Sequence, residues 1–263
     1  MARVELKNLS FDYPVLDVAD RSIKLTLAKR VQRGSSGRLL VHALRNINLT
    51  FEAGERIGLI GSNGSGKSTL LRLIGGLAFP TSGELISEGK VTTILDKSMG
   101  INPEFSGAEN IELPMRMMGA SSAMVAAARE DIRAFAELGD FFDLPVRRYS
   151  DGMRARLAFG LATSMPTDIL VLDEWLSAGD ANFVHKAEKR LTEFLEKIKI
   201  VVLASHSLDL LETVCTRVVW IENGEIVNSG PPGAIIAAYL NWVESGFGMK
   251  EKKAPLVSLA AGE

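Results

Sequence analysis

A glycine-rich loop between a short apolar run and a predicted helix constrains this sequence more than any other feature. The run at residues 56–60 is typical of a buried strand, and residues 69–74 are typical of a helix that two glycines end. The loop between them has the spacing G-x-x-x-x-G-K-[ST], which in this setting predicts a phosphate-binding loop. We call residues 61–69 the phosphate loop and expect all of them to contact the nucleotide: Gly61, Ser62, Asn63, Gly64, Ser65, Gly66, Lys67, Ser68 and Thr69.

The residue types of the phosphate loop match the chemistry of phosphate binding. Glycines allow successive backbone N–H groups to turn toward phosphate oxygens, and the N-terminus of the following helix adds its positive dipole end. We expect Lys67 to reach the β- and γ-phosphates and the Ser68 hydroxyl to ligate Mg²⁺. The sequence therefore predicts binding of ATP or GTP.

The order of strands and helices predicts an α/β fold. Apolar alternation indicates strands at 3–12 and 43–51, and a short apolar run indicates another strand at 91–95. Further runs indicate buried strands at 168–173 and 199–204. Residues 103–144 and 183–198 are helix-rich, Asn223-Gly224 predicts a hairpin at 217–228, and a last helix covers roughly 233–244. Such alternation predicts a mainly parallel sheet that binds ligands at the carboxyl ends of its strands.

Three further side chains follow predicted buried strands and are candidates for hydrolysis chemistry. Asp173 ends one strand and Glu174 follows it directly, while His206 comes after the next strand. A phosphate-loop enzyme needs a carboxylate for Mg²⁺, and the attacking water needs another, so we assign Asp173 to the metal and Glu174 to the water. His206 is expected to face the γ-phosphate. An ordinary exposed turn is the alternative for the carboxylates, and a structural role is the alternative for the histidine.

Composition excludes several other classes. The 263 residues carry a net charge of -2, so no basic field indicates a nucleic-acid partner. The one cysteine, Cys215, cannot form an internal disulfide. No apolar run approaches the roughly 20 residues of a membrane-spanning helix, and the N-terminus lacks the apolar core of a signal peptide. We therefore expect any membrane role to depend on a partner.

Taken together, these elements resemble the nucleotide-binding subunits of ABC transporters. The discriminating segment is 149–158, which is similar to the family signature L-S-G-G-Q-x-x-R: Ser150, Gly152 and Arg156 match, whereas Asp151 and Met153 depart from it. In the family this helix start faces the γ-phosphate bound to the other protomer, so the resemblance implies that Ser150 and Gly152 bind nucleotide across a homodimer. The alternative is that Ser150 only caps a helix. Residues 177–180 resemble the family's loop that runs along the dimer interface.

Four segments resemble a narrower group, the exporters of polysaccharides such as O-antigen, capsule and teichoic acid. They are Phe-Asp-Tyr-Pro at 11–14 with the insertion after it, residues 100–111, the signature variant at 149–156, and residues 176–180. The resemblance implies that Tyr13 stacks on adenine, although an aromatic residue near a strand end is also typical of a core. One departure is that Lys97, with Asp96 beside it, occupies the place where many members have a glutamine.

The resemblance also implies a domain organisation and a function. We expect a phosphate-loop core with an antiparallel β subdomain and an α-helical subdomain within one domain at 1–245. The helical subdomain covers about 97–160, an insertion covers 14–41, and a tail at 246–263 leaves no room for a sugar-binding domain. The implied function is ATP-driven export of a lipid-linked polysaccharide by a homodimer, with Mg²⁺, at the cytoplasmic face of the inner membrane.

The implied partner is a membrane-spanning permease present in two copies, contacted through the region 97–118, with no nucleic-acid partner. Another exported or imported substrate is the first alternative, because substrate identity lies mainly in the permease. A non-transport ABC ATPase acting on DNA or ribosomes is the second alternative. Against it, the coiled-coil heptads of the DNA-maintenance members are absent and only one ATPase core is present.

Overall fold

The computed structural model describes residues 2–14, 31–33, 39–95, 100–173 and 181–246. The chain divides into two compact units. We call Arg3–Glu88 with Val202–Glu263 the β unit, and Met1–Ala2 with Gly89–Val201 the helical unit. Among the residues described, no helix combines the length and apolar character needed to cross a bilayer.

The β unit contains a four-stranded antiparallel sheet. Its strands are β1 (Arg3–Pro14), β2 (Val31–Arg33), β3 (Leu39–Glu52) and β5 (Ser82–Glu88), in the order β2-β3-β1-β5. Alternate residues of β1 and β3 are buried, as the hydrophobic pattern predicts. The polar segment 14–41 contributes β2 and the start of β3, and residues 15–30 and 34–38 of it lie outside the described residues. Sequence reasoning missed β5, because nearly all its residues are exposed and its two apolar residues, Leu85 and Ile86, are adjacent and do not alternate.

The same unit contains the strands around the phosphate loop. β4 (Arg56–Ile60) leads into the loop, and α1 (Lys67–Ile74) follows it. β9 (Arg217–Glu222) runs parallel to β4, with Ile60 opposite Trp220, and β10 (Glu225–Gly230) returns antiparallel to β9 as the Asn223-Gly224 turn predicts. α6 (Leu208–Val214) and α7 (Pro232–Glu244) pack against each other, and α7 packs against β9. β4 is buried along both faces, which explains its unbroken apolar run.

The described part of the helical unit contains two paired parallel strands, four α-helices and two short 3-10 helices at Gly139–Asp143 and Val146–Arg148. β6 (Val91–Ile94) pairs with β7 (Ile169–Asp173). The helices are α2 (Gly107–Met117), α3 (Ser122–Ala136), α4 (Asp151–Ala162) and α5 (Ala181–Lys197), and β8 (Ile200–Ala204) crosses the boundary between the units. Ser106 and Glu109 form a capping box that starts α2. The hydrogen bonds that Ser106 donates to Glu109 lower the pKa of that carboxyl group.

Aromatic packing and one arginine hold the helices of this unit together. Phe135 of α3 lies 5.6 Å from Phe159 of α4 and 5.2 Å from Phe183 of α5, centroid to centroid. Arg190 of α5 donates to Asp131 of α3 and, at 2.6 Å, to the Thr163 hydroxyl at the end of α4. The Arg190 hydrogen bond lowers the pKa of Asp131, so the carboxylate stays charged and keeps the contact.

Gly160 of α4 lies close against α3 and provides a test of this packing. A Cβ at position 160 lies 2.9 Å from Cγ2 of Ile132 and 3.3 Å from Cδ1 of Phe135. We expect Gly160→Leu to destabilise the fold by about 1–3 kcal/mol, although leucine has the higher helix propensity. Urea unfolding followed by circular dichroism measures the change. Ala126→Leu, on the exposed side of α3, is the control, and equal stability of both variants contradicts the packing.

Candidate functional site

The phosphate loop has positive φ at three glycines and is closely packed at two of them, Gly61 and Gly66. Gly61, Gly64 and Gly66 have φ of 147°, 77° and 119°. A Cβ at Gly61 lies 1.9 Å from the Ile221 carbonyl oxygen, and one at Gly66 lies 2.8 Å from Leu44 Cδ2. At Gly64 nothing lies within 4 Å, so this glycine is needed for its backbone angle and not for space. The loop is therefore a curved, closely packed backbone with the shape that phosphate oxygens require.

Lys67 lies at the first position of α1 and folds back over the loop. Its ammonium donates to the carbonyl oxygens of Gly61 at 2.7 Å and Ser62 at 2.9 Å, with the Ser65 hydroxyl 3.5 Å away. The first N–H groups of a helix have no partners within the helix, and its dipole is positive at this end. The Lys67 ammonium and a helix N-terminus thus both lie at the loop. This arrangement attracts a polyphosphate.

The turn between β9 and β10 supports the loop from one side. The Ser62 N–H donates to Glu222 Oε2 at 3.1 Å and the Ser62 hydroxyl donates to Glu222 Oε1, while Gly224 N–H donates to the Ser65 carbonyl at 2.8 Å. Glu222 is buried, with 8% of its surface exposed. Sequence reasoning missed Glu222. The available signal was a carboxylate that directly follows the apolar residues 218–221 at the end of a strand.

Tyr13, near the end of β1, is the predicted adenine partner. Its ring makes an edge contact with Phe11 at 4.8 Å, and its hydroxyl lies 3.4 Å from Thr69 Oγ1. It is 36% exposed, so part of the ring is open to a ligand. The β unit therefore brings Tyr13 next to the phosphate loop, in which Asn63 and Ser68 are exposed.

The predicted hydrolytic residues lie at strand ends. Asp173 is the last residue of β7 and is partly buried, and the exposed His206 follows β8 by two residues. Glu174 lies outside the described residues, as do Asp96, Lys97 and residues 176–180. Their assigned roles stay predictions.

Ser150 is the N-cap of α4. Both the signature interpretation and the simple helix cap predict this position. The Ser150 hydroxyl accepts from the Met153 N–H at 3.3 Å, and the residue is exposed. A Cβ at Gly152 has only Ser150 Oγ within reach, at 4.0 Å, and Asp151 pairs with Arg154. Ser150 therefore caps the helix and still presents an open helix N-terminus, which is the geometry that an anion needs.

The donors within the β unit fit Mg-ATP. The glycine backbone and the Lys67 ammonium are partners for phosphate, and the exposed Ser68 hydroxyl is a hard oxygen ligand of the kind that Mg²⁺ prefers. Asp173 belongs to the helical unit, and its assignment to the metal stays a prediction. The strand, loop and helix at 56–74 define a phosphate-loop nucleotide-binding protein.

A family model described as ABC transporter matches residues 44–177. The chain is 42% identical to the O-antigen export system ATP-binding protein RfbE of Yersinia enterocolitica over 232 residues, 86% of this chain and 97% of that protein. It is 44% identical over 210 residues to RfbB of Myxococcus xanthus, an O-antigen export system ATP-binding protein, covering 80% of this chain and 48% of that one. The chain thus spans about half the length of the Myxococcus relative. It belongs to the ABC transporter family and is an ATPase of that family.

The fold is that of solved ATP-binding cassettes. A dimeric cassette, MJ0796, bound to ADP and Pi, superposes with a TM-score of 0.65 and 24% identity, covering 87% of this chain and 98% of that one. The α/β phosphate-loop fold, the family and the enzyme class expected from the sequence are confirmed.

The crowding at Gly66 yields a direct test of the loop. In Gly66→Ala we expect Kd for ATP to rise at least about tenfold, because the methyl group displaces the loop from Leu44. Isothermal titration calorimetry measures Kd. Gly76→Ala is the control, since Gly76 has φ of 71° but nothing within 4 Å of its Cβ position. In Gly76→Ala the alanine must adopt a positive φ, but its methyl group meets no neighbouring atom. Equal Kd values for the two variants contradict the loop packing.

Proposed function

We propose that this chain is the ATP-binding and ATP-hydrolysing subunit of a transporter that exports a lipid-linked polysaccharide, of the O-antigen kind, across the inner membrane. The observation that carries the proposal is 42% identity to an O-antigen export protein of Yersinia enterocolitica, over 86% of this chain and 97% of that protein. The phosphate loop supports the energy-coupling role. The cargo rests on the relatives and on the sequence segments at 11–14, 100–111, 149–156 and 176–180.

Each predicted residue has a task in hydrolysis. Backbone N–H groups of the phosphate loop and the Lys67 ammonium bind the phosphates and stabilise negative charge as the γ-phosphoryl group leaves ADP. Ser68 and Asp173 hold Mg²⁺, which neutralises charge on the phosphate oxygens when it is bound. Glu174 accepts a proton from the attacking water, and His206 orients the γ-phosphate. Tyr13 stacks on adenine through the exposed part of its ring.

Two copies of the chain complete the site. The exposed helix start at Ser150 and Gly152 of one copy faces the γ-phosphate held by the other, so nucleotide joins the two. Closure and reopening of this dimer drive two copies of a membrane-spanning permease, contacted through the region 97–118. The ATPase dimer then lies on the cytoplasmic face of the membrane as a peripheral subunit.

Separating binding from hydrolysis tests these roles. Glu174→Gln is expected to bind ATP with unchanged Kd while turnover falls about 100-fold or more, because the amide cannot accept the proton from water. In ATP this variant accumulates as a dimer on size-exclusion chromatography. Adding Ser150→Arg returns it to a monomer with unchanged circular dichroism, since the larger side chain fills the interface.

Glu196→Gln, on the exposed side of α5, is the matched control and keeps wild-type turnover. Undiminished turnover in Glu174→Gln removes Glu174 from the chemistry. A double variant that still dimerises removes Ser150 from the interface.

The cargo is tested in the organism that carries the gene. Deletion of the gene is expected to remove polysaccharide from the cell surface and to accumulate lipid-linked polymer inside, because synthesis continues without export. Wild-type chain and Lys7→Ala restore the surface polymer, whereas Lys67→Ala does not. Normal surface polysaccharide in the deletion strain contradicts the cargo and leaves the ATPase assignment intact.

A further inference from the structure

We propose that Glu222 is a positioning residue for the phosphate loop: its carboxylate fixes the Gly61–Ser62 peptide group so that the Gly61 carbonyl holds the Lys67 ammonium. The inference rests on nucleotide binding and is independent of the cargo. Glu222 touches neither phosphate nor metal in this proposal, and it acts through Lys67.

The geometry of one peptide group carries the proposal. A trans peptide points its N–H and its C=O in opposite directions, and the described residues contain no cis peptide bond. The N–H of Ser62 donates to Glu222, 3.1 Å away, and the C=O of Gly61, in the same peptide, accepts from Lys67 Nζ, 2.7 Å away. A carboxylate at the N–H end and an ammonium at the C=O end therefore hold the peptide between them. Charged partners make both hydrogen bonds stronger than neutral ones.

The pairing of β4 with β9 places Glu222 beside Ser62. Ile60 lies opposite Trp220 at the end of this parallel pair, so two residues further along each strand brings Ser62 to Glu222. The Ile221 carbonyl fills the space where a side chain at position 61 would be, 1.9 Å from the Cβ position. The phosphate loop thus packs against the end of β9 through the Ile221 carbonyl and hydrogen-bonds to it through the Glu222 carboxylate.

Because the Glu222 carboxylate is buried, it depends on hydrogen bonds from the protein. Glu222 is 8% exposed, and a buried carboxylate without donors is strongly disfavoured, so it keeps both hydrogen bonds from Ser62. Burial raises the pKa of Tyr239 on α7, and the negative charge of the Glu222 carboxylate raises it further. Tyr239 also contacts Trp220, with ring centroids 5.6 Å apart. The carboxylate is thus buried, and the two hydrogen bonds from Ser62 fix its position.

The expected consequence is a preorganised loop. With the Gly61–Ser62 peptide fixed, Lys67 rests on two carbonyl oxygens of the loop and ATP need not order them on binding. Glu222→Ala is expected to raise Kd for Mg-ATP about tenfold, measured by isothermal titration calorimetry. Glu222→Gln keeps an oxygen that accepts the Ser62 N–H and an amide that donates to its hydroxyl, so Kd stays within about threefold of wild type. Glu225→Ala, exposed on the same hairpin, is the control and binds as wild type.

A double-mutant cycle distinguishes positioning of Lys67 from a general effect on folding. If Glu222 acts through Lys67, Glu222→Ala changes Kd less than about twofold in a Lys67→Ala background. Full additivity of the two substitutions overturns the proposal, as does wild-type Kd in Glu222→Ala. Should the alanine variant fail to fold, Glu222→Met fills the same volume without accepting a hydrogen bond, and the same cycle is run with it.

Discussion

The parallel pairing of β4 with β9 is the constraint on which the nucleotide-binding part of this molecule depends. β4 delivers the phosphate loop, and β9 presents Ile221, Glu222 and the Asn223-Gly224 turn to it. A shift of this register by one residue would move Glu222 away from Ser62 and place the Ile221 carbonyl elsewhere. Glycine at position 61 is then required by the neighbouring strand as well as by the phosphate.

The helical unit depends on a different kind of contact. Phe135, Phe159 and Phe183 join three helices, and Arg190 ties the same three through polar groups. The helix that carries Ser150 is therefore held along its C-terminal half, while its N-terminal end is exposed. A buried half and an open end allow one helix to serve as core and as a candidate anion site.

The sequence was sufficient to predict the phosphate loop, the buried strands and the hairpin, because each has a local pattern with a physical cause. β5 could not be predicted, since its stability comes from pairing with β1 and its side chains are nearly all exposed. The carboxylate of Glu222 is visible in the sequence at a strand end, but its contact with Ser62 could not be predicted, because it joins residues 160 positions apart. Ser150 caps its helix, as one interpretation predicted, and its binding of nucleotide across a dimer stays a prediction. Glu174 rests on sequence alone, since it lies outside the described residues.

The long separation between Ser62 and Glu222 has a consequence for synthesis of the chain. A ribosome produces the phosphate loop early, but the strand that seats it is made 160 residues later. Until β9 emerges and pairs with β4, the loop has glycines free to take many conformations and no carboxylate to orient its peptide. A nascent chain that ends before β9 thus contains the whole loop sequence but lacks the folded loop. The capacity to hold ATP then arises only after β9 has been made and has paired with β4.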